Sequence, residues 1–124
     1  MGLKWETGDY EPLPHWKPCP AYSHPGDYDL YAVNFRVATH SHSWTVENPW
    51  LHEVAKLNPY AMKIWINAAT ARKKGISDGD RIRVESQAGQ LTGDAKVTEC
   101  IHPEAVGISS HFGGWAKGKP LAAK

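Results

Sequence analysis

Short apolar runs separated by polar punctuation make up most of this chain, and the first of them ends unusually. From residue 30 to residue 37, Leu30, Tyr31, Ala32, Val33, Phe35 and Val37 form a run rich in β-branched and aromatic side chains. That pattern predicts a buried strand over 30–37. The run then passes, without glycine or proline, into His40, Ser41, His42, Ser43 and Thr45. Five hydrogen-bonding side chains at the end of a sheet-forming segment suit a core poorly. They suit a binding loop at the end of a strand.

The later pattern predicts further short elements. Asn48-Pro49 is a helix start, a capping residue followed by proline at the first helical position. Trp50, Leu51, Val54, Ala55 and Leu57 then recur at helical spacing on one side, and Asn58-Pro59 ends the helix near residue 57. Met62, Ile64 and Ile66 alternate with Lys63 and Trp65 as a strand. Asn67 can cap a second short helix over 68–74, closed by Gly75. Asp78-Gly79 marks a turn, and Asp80 completes an acidic pair that reads as turn chemistry rather than a metal or phosphate loop. Ile82 and Val84 alternate with Arg81, Arg83 and Glu85 as a half-solvated strand. Ala88-Gly89 gives a hairpin turn, Leu91 to Glu99 returns, and Val106 to Ser110 forms a last strand. Many short strands with two small helices predict a mainly β, closed architecture.

Bulk properties limit the possibilities. A chain of 124 residues suits one core. The formal net charge of +1 gives no basis for non-specific nucleic-acid or membrane-surface binding. No apolar run reaches the length of a membrane span, and the first residues lack a signal-peptide core. Five prolines (Pro12, Pro14, Pro18, Pro20 and Pro25) lie among Trp16 and Tyr22, so residues 1–27 read as an extended, partly disordered connector. Residues 28–118 form the expected domain, and 119–124 a frayed end. Cys19 lies between two prolines and is expected to be exposed, whereas Cys100, in a strand-like stretch, is expected to be packed. Either redox state fits them.

The polar loop admits three readings. His40 and His42 lie on one face of an extended segment and could ligate a metal. A closed zinc site needs four ligands, usually including cysteines, and the two cysteines here are isolated, so no metal site is assigned. A solvated loop without a ligand is the second reading. The third is a ligand with many polar atoms and some negative charge, anchored by the planar fork of Arg36.

The segment from Asn34 to Thr45 resembles the pterin-contacting loop in the C-terminal domain of the molybdenum and tungsten enzymes of the dimethyl-sulfoxide-reductase family. Two more stretches resemble that family in the same order. Ile64 to Glu99 is similar to its asparagine, short helix, Asp-Gly-Asp and hairpin signature. Gly107 to Gly118 is similar to its closing loop, rich in glycine and aromatic residues. The likeness runs from about Leu13 onward. It implies a six-stranded double-psi β-barrel with a few short helices. It also implies binding and orienting of a bis-molybdopterin guanine dinucleotide cofactor, whose molybdenum or tungsten is held by the complete enzyme.

On that resemblance the cofactor-contacting set is Arg36, His40, His42, Ser43, Thr45, Asn67, His111, Phe112, Gly113 and Trp115. Asn67 is equally explained as a plain helix cap. The implied partners are the remaining domains, or a large subunit, of a molybdopterin oxidoreductase, in the cytoplasm or periplasm according to that parent. Ligands for the metal and cysteines for iron–sulfur clusters lie elsewhere in such enzymes, so this chain alone is expected to lack redox turnover. Two rivals stand beside this reading. A pyruvoyl-dependent decarboxylase on a related barrel needs a Gly-Ser cleavage site, and the sequence has no Gly-Ser pair. A stand-alone double-psi barrel that recruits a protein or small molecule, without a redox role, would not need the polar cluster from Arg36 to Thr45.

Overall fold

The computed structural model describes residues 26–41 and 44–110, together with residues 4, 8, 10 and 13–19. Its elements follow one another as β1 (Tyr31–Phe35), α1 (Pro49–Lys56), β2 (Ile64–Asn67), α2 (Ala68–Lys74), β3 (Arg81–Ser86), β4 (Gly89–Thr98) and β5 (Ala105–Ser109). The five strands form one mixed, curled sheet in the order β1-β5-β2-β4-β3. β1 runs parallel to β5 and β2 parallel to β4, whereas β2 opposes β5 and β3 opposes β4. The described residues thus give a mainly β half-barrel of five strands with two helices, rather than the six expected. β1 and β3 remain as its edges.

Both helices begin and end on local chemistry. Asn48 Oδ1 accepts from the amides of Trp50 and Leu51 at 3.0 and 3.3 Å, and Pro49 occupies the first turn, where its missing N–H costs nothing. Asn67 Oδ1 caps α2 through the Ala69 amide at 2.8 Å. Gly75 ends α2 in the left-handed region (φ 66°), and the Ile76 amide reaches back to the Ala71 carbonyl at 2.9 Å. That pairing is the Schellman arrangement, open to glycine at little cost. Asp78 and Asp80 hold the next turn. Asp78 Oδ1 accepts from the Val97 amide at 2.8 Å, and Asp80 Oδ2 from the Ser77 amide at 2.7 Å.

The core is split in two. Under α1, Val37, Ala55 and Ala61 pack with Phe35 and Met62. Against α2, Ile66, Ala71 and Ala95 pack with Ile76, Ile82 and Val97. A cleft of about 1200 Å³ lies on the sheet face that carries Ile66, Ile82, Val106 and Ile108, bounded by β1 and the β3–β4 hairpin.

Several expectations change at this level. The predicted buried strand is shorter and largely exposed, because β1 is an edge strand with a neighbour on one side only. The β3–β4 turn consists of Gln87 and Ala88, since Ser86 pairs directly with Gly89. Cys100 is exposed rather than packed, because it follows the end of β4 in a bend. α1 buries His52 and Ala55, while Trp50, Val54 and Leu57 face outward.

Candidate functional site

Where β1 ends at Phe35, the chain turns three times in succession. The His40 amide donates to the Val37 carbonyl, the Trp44 amide to Ser41, and the Asn48 amide to Thr45, at 3.2, 3.3 and 3.0 Å. Thr45 ties this loop together from within. Its hydroxyl oxygen accepts from the Ser41 amide at 3.0 Å and lies 3.3 Å from His40 Nδ1. His40 is buried against the loop, and Val37 below it belongs to the core. A polar run can therefore be held firmly at a strand end, because its first residues are core and its hydroxyl closes the turn.

The loop lies beside the end of β5. Parallel pairing sets Phe35 opposite Ser109, and the Ser110 amide donates to the Phe35 carbonyl at 3.1 Å. The chain thus leaves β5 at the edge where Arg36 begins. Arg36 is exposed and forms no ion pair among the described residues. It lines a recess of about 260 Å³ together with Phe35, Tyr60, Trp65 and Cys100. The Phe35 and Trp65 rings lie 4.2 Å apart, and Trp65 Nε1 donates to the Tyr60 carbonyl at 2.7 Å. Gly107 lies close beneath this pair: a Cβ there would stand a tight 3.1 Å from both Trp65 Cβ and Ile101 Cδ1.

The carboxylates with displaced pKa values lie elsewhere. Hydrogen bonds from Lys63 and Arg81 hold Asp94 below the usual carboxylate range. Asp78 is lowered by the Val97 amide and then by Lys96, and Asp29 by Lys74. These carboxylates pair with Lys63, Arg81, Lys96 and Lys74, and no described carboxylate pairs with Arg36.

Of the expected site residues, Arg36, His40 and Thr45 come together in this loop. His42, Ser43, His111, Phe112, Gly113 and Trp115 lie outside the described residues. Asn67 stands apart. It lies one residue beyond the Ile66–Val106 pair, level with the start of β5, and so roughly 13 Å along the strands from Phe35. Both ends of its amide are engaged, since Nδ2 donates to the Ile101 carbonyl at 2.8 Å. Sequence reasoning passed over Thr39. Its hydroxyl is buried and has no hydrogen-bond partner among the described residues. Its place immediately before His40, in a run of donors, was the available signal.

The described residues thus form a small, mainly β domain whose curled sheet presents a tied, polar loop at one strand end. A family model described as "Molydopterin dinucleotide binding domain" matches residues 30–123, and the chain belongs to that family. Among curated relatives, it is 28% identical over 116 residues to the molybdopterin-containing subunit of arsenate respiratory reductase from a Shewanella species, covering 90% of this chain and 14% of that protein. It is 34% identical over 94 residues to the molybdopterin-containing subunit of thiosulfate reductase from Salmonella typhimurium, covering 76% and 12%. Dimethyl sulfoxide reductase from Escherichia coli is 32% identical over 121 residues, covering 93% and 14%. The chain therefore spans only about an eighth of the length of these relatives.

Proposed function

We propose that this chain binds and orients a molybdopterin guanine dinucleotide as the C-terminal domain, or small subunit, of a molybdenum or tungsten oxidoreductase. The observation that carries the reading is the loop from Arg36 to Thr45, in which a guanidinium and a buried Thr39 hydroxyl, both without partners among the described residues, precede a turn closed by Thr45. Such a donor set fits a ligand rich in phosphate oxygens and ring nitrogens. A buried hydroxyl left unsatisfied costs about 1–3 kcal/mol, a cost that a polar ligand atom removes. Arg36 would take the anionic part of the ligand through its planar fork. His40 and Thr45 would hold the loop in shape, with His42 and Ser43 adding donors and acceptors. His111, Phe112, Gly113 and Trp115 follow β5 directly and would wall the same edge. Asn67, a strand length away, would meet a different part of so long a ligand.

When bound, the dithiolene of the pterin holds the metal and supplies the redox chemistry, and this domain contributes position and electrostatics. The cleft between β1 and β3, with Ile66, Ile82, Val106 and Ile108 on its floor, supports a related reading: a sixth strand across those edges would complete a double-psi barrel.

The test is cofactor retention in the complete enzyme. Arg36→Ala is expected to lower the molybdenum and pterin content recovered after gel filtration by at least tenfold, whereas Arg72→Ala on α2 leaves it unchanged. Equal retention in both variants would remove the loop from the cofactor surface.

A further inference from the structure

Among the described residues, no other element covers the outward face of α1. Trp50 and Leu57 are 81% and 84% exposed, and Val54 lies between them, half exposed. At about 100° per residue these three positions fall within a stripe roughly 60° wide, on the far side of the helix from Ala55. Trp44, in the loop just before α1, is 87% exposed. Two tryptophans and a leucine turned to water over so short a stretch mark an interaction surface rather than scattered apolar residues. Tryptophan is also the side chain that most often anchors such contacts.

Resting on the cofactor reading above, we propose that this face docks on an apolar surface of the catalytic remainder of the same oxidoreductase. Two observations select that partner. The relatives carry this domain as 12–14% of a much longer protein, so a large body adjoins it there. Trp44 also sits within the loop that carries Arg36, His40 and Thr45, so a body enclosing a ligand at that loop would meet Trp44 and α1 together. The stripe itself holds no charge, and the nearby Lys56 and Glu53 pair with each other at 2.6 Å. A neutral, apolar partner fits this surface better than nucleic acid or an anionic membrane.

Hydroxyl-radical footprinting of the 124-residue chain alone and of the complete oxidoreductase tests the proposal. Trp44, Trp50 and Leu57 should label freely in the isolated chain and at least tenfold more slowly in the complete protein. Trp50→Ser with Leu57→Ser should leave the isolated chain's unfolding midpoint unchanged and raise Trp44 labelling in the complete protein at least fivefold. Equal labelling in both forms would overturn the proposal. So would protection already present in the isolated chain, whether from its own proline-rich segment or from a dimer detected by light scattering. An Arg36→Ala arm separates the two readings: protected tryptophans with unchanged cofactor content would sink the cofactor assignment and leave the docking face standing.

Discussion

Two asparagines of similar appearance carry unequal structural weight. Asn48 caps α1 at the surface with its Oδ1 alone, so its replacement removes an exposed cap. Asn67 is buried, caps α2 with Oδ1, and satisfies the Ile101 carbonyl with Nδ2. Asn48→Ala should cost about 1 kcal/mol. Asn67→Ala should cost about 2–3 kcal/mol, because it loses a cap and also strips a donor from a buried carbonyl. Urea unfolding of the isolated chain measures both. Equal losses would mean that the Asn67–Ile101 bond contributes little. The double duty of Asn67 was not legible in the sequence, since its second partner lies 34 residues away. The cap alone was, because capping depends on neighbours within the same turn.

The same division holds for the elements. Residues 49–56 and 68–74 were legible as helices because asparagine, proline and glycine mark their ends locally. What each element faces was not. The strand read as buried lies at a sheet edge, and edge position depends on the order of all five strands. Helical spacing puts Trp50, Leu51, Val54, Ala55 and Leu57 on one side of α1, but small Ala55 and buried His52 pack inward while Trp50, Val54 and Leu57 point out. Periodicity finds a stripe without telling which neighbour covers it. In the candidate loop, the type of residue was legible and the hidden hydroxyl of Thr39 was not.

The turn joining α2 to β3 gives a prediction at this scale. Asp78 has its pKa lowered from 3.8 by the Val97 amide and by Lys96. A depressed carboxylate contributes stability above its unfolded pKa and loses it as pH falls through the folded value. The thermal midpoint of the wild-type chain should therefore fall as pH drops below about 4. Asp78→Asn keeps an oxygen for the Val97 amide but not the charge, so its midpoint should lie lower at pH 7 and converge on the wild type in acid. Parallel curves at all pH values would show that the Asp78 charge is not involved.

At the scale of the whole molecule, the question is whether the sheet stays open. Ile66 is 2% exposed and sits at the centre of the core against Ala71 and Ala95. Ile82 packs against the same core from β3, but it also lines the cleft that the five described strands leave between β1 and the β3–β4 hairpin. Truncating a fully buried isoleucine costs about 2–5 kcal/mol, while a side chain wetted on one side loses much less. If a sixth strand completes the barrel, the cleft is dry, and Ile82→Ala in the complete protein should cost about 3 kcal/mol, close to Ile66→Ala. An open sheet would instead hold the Ile82→Ala cost below about 1 kcal/mol, with Ile66→Ala unchanged. We expect the two costs to agree, because Ile82 and Ile108 are only half-buried among the described residues and line the cleft beside the buried Ile66 and Val106. An apolar face of that extent is stabilising only once water is excluded from it.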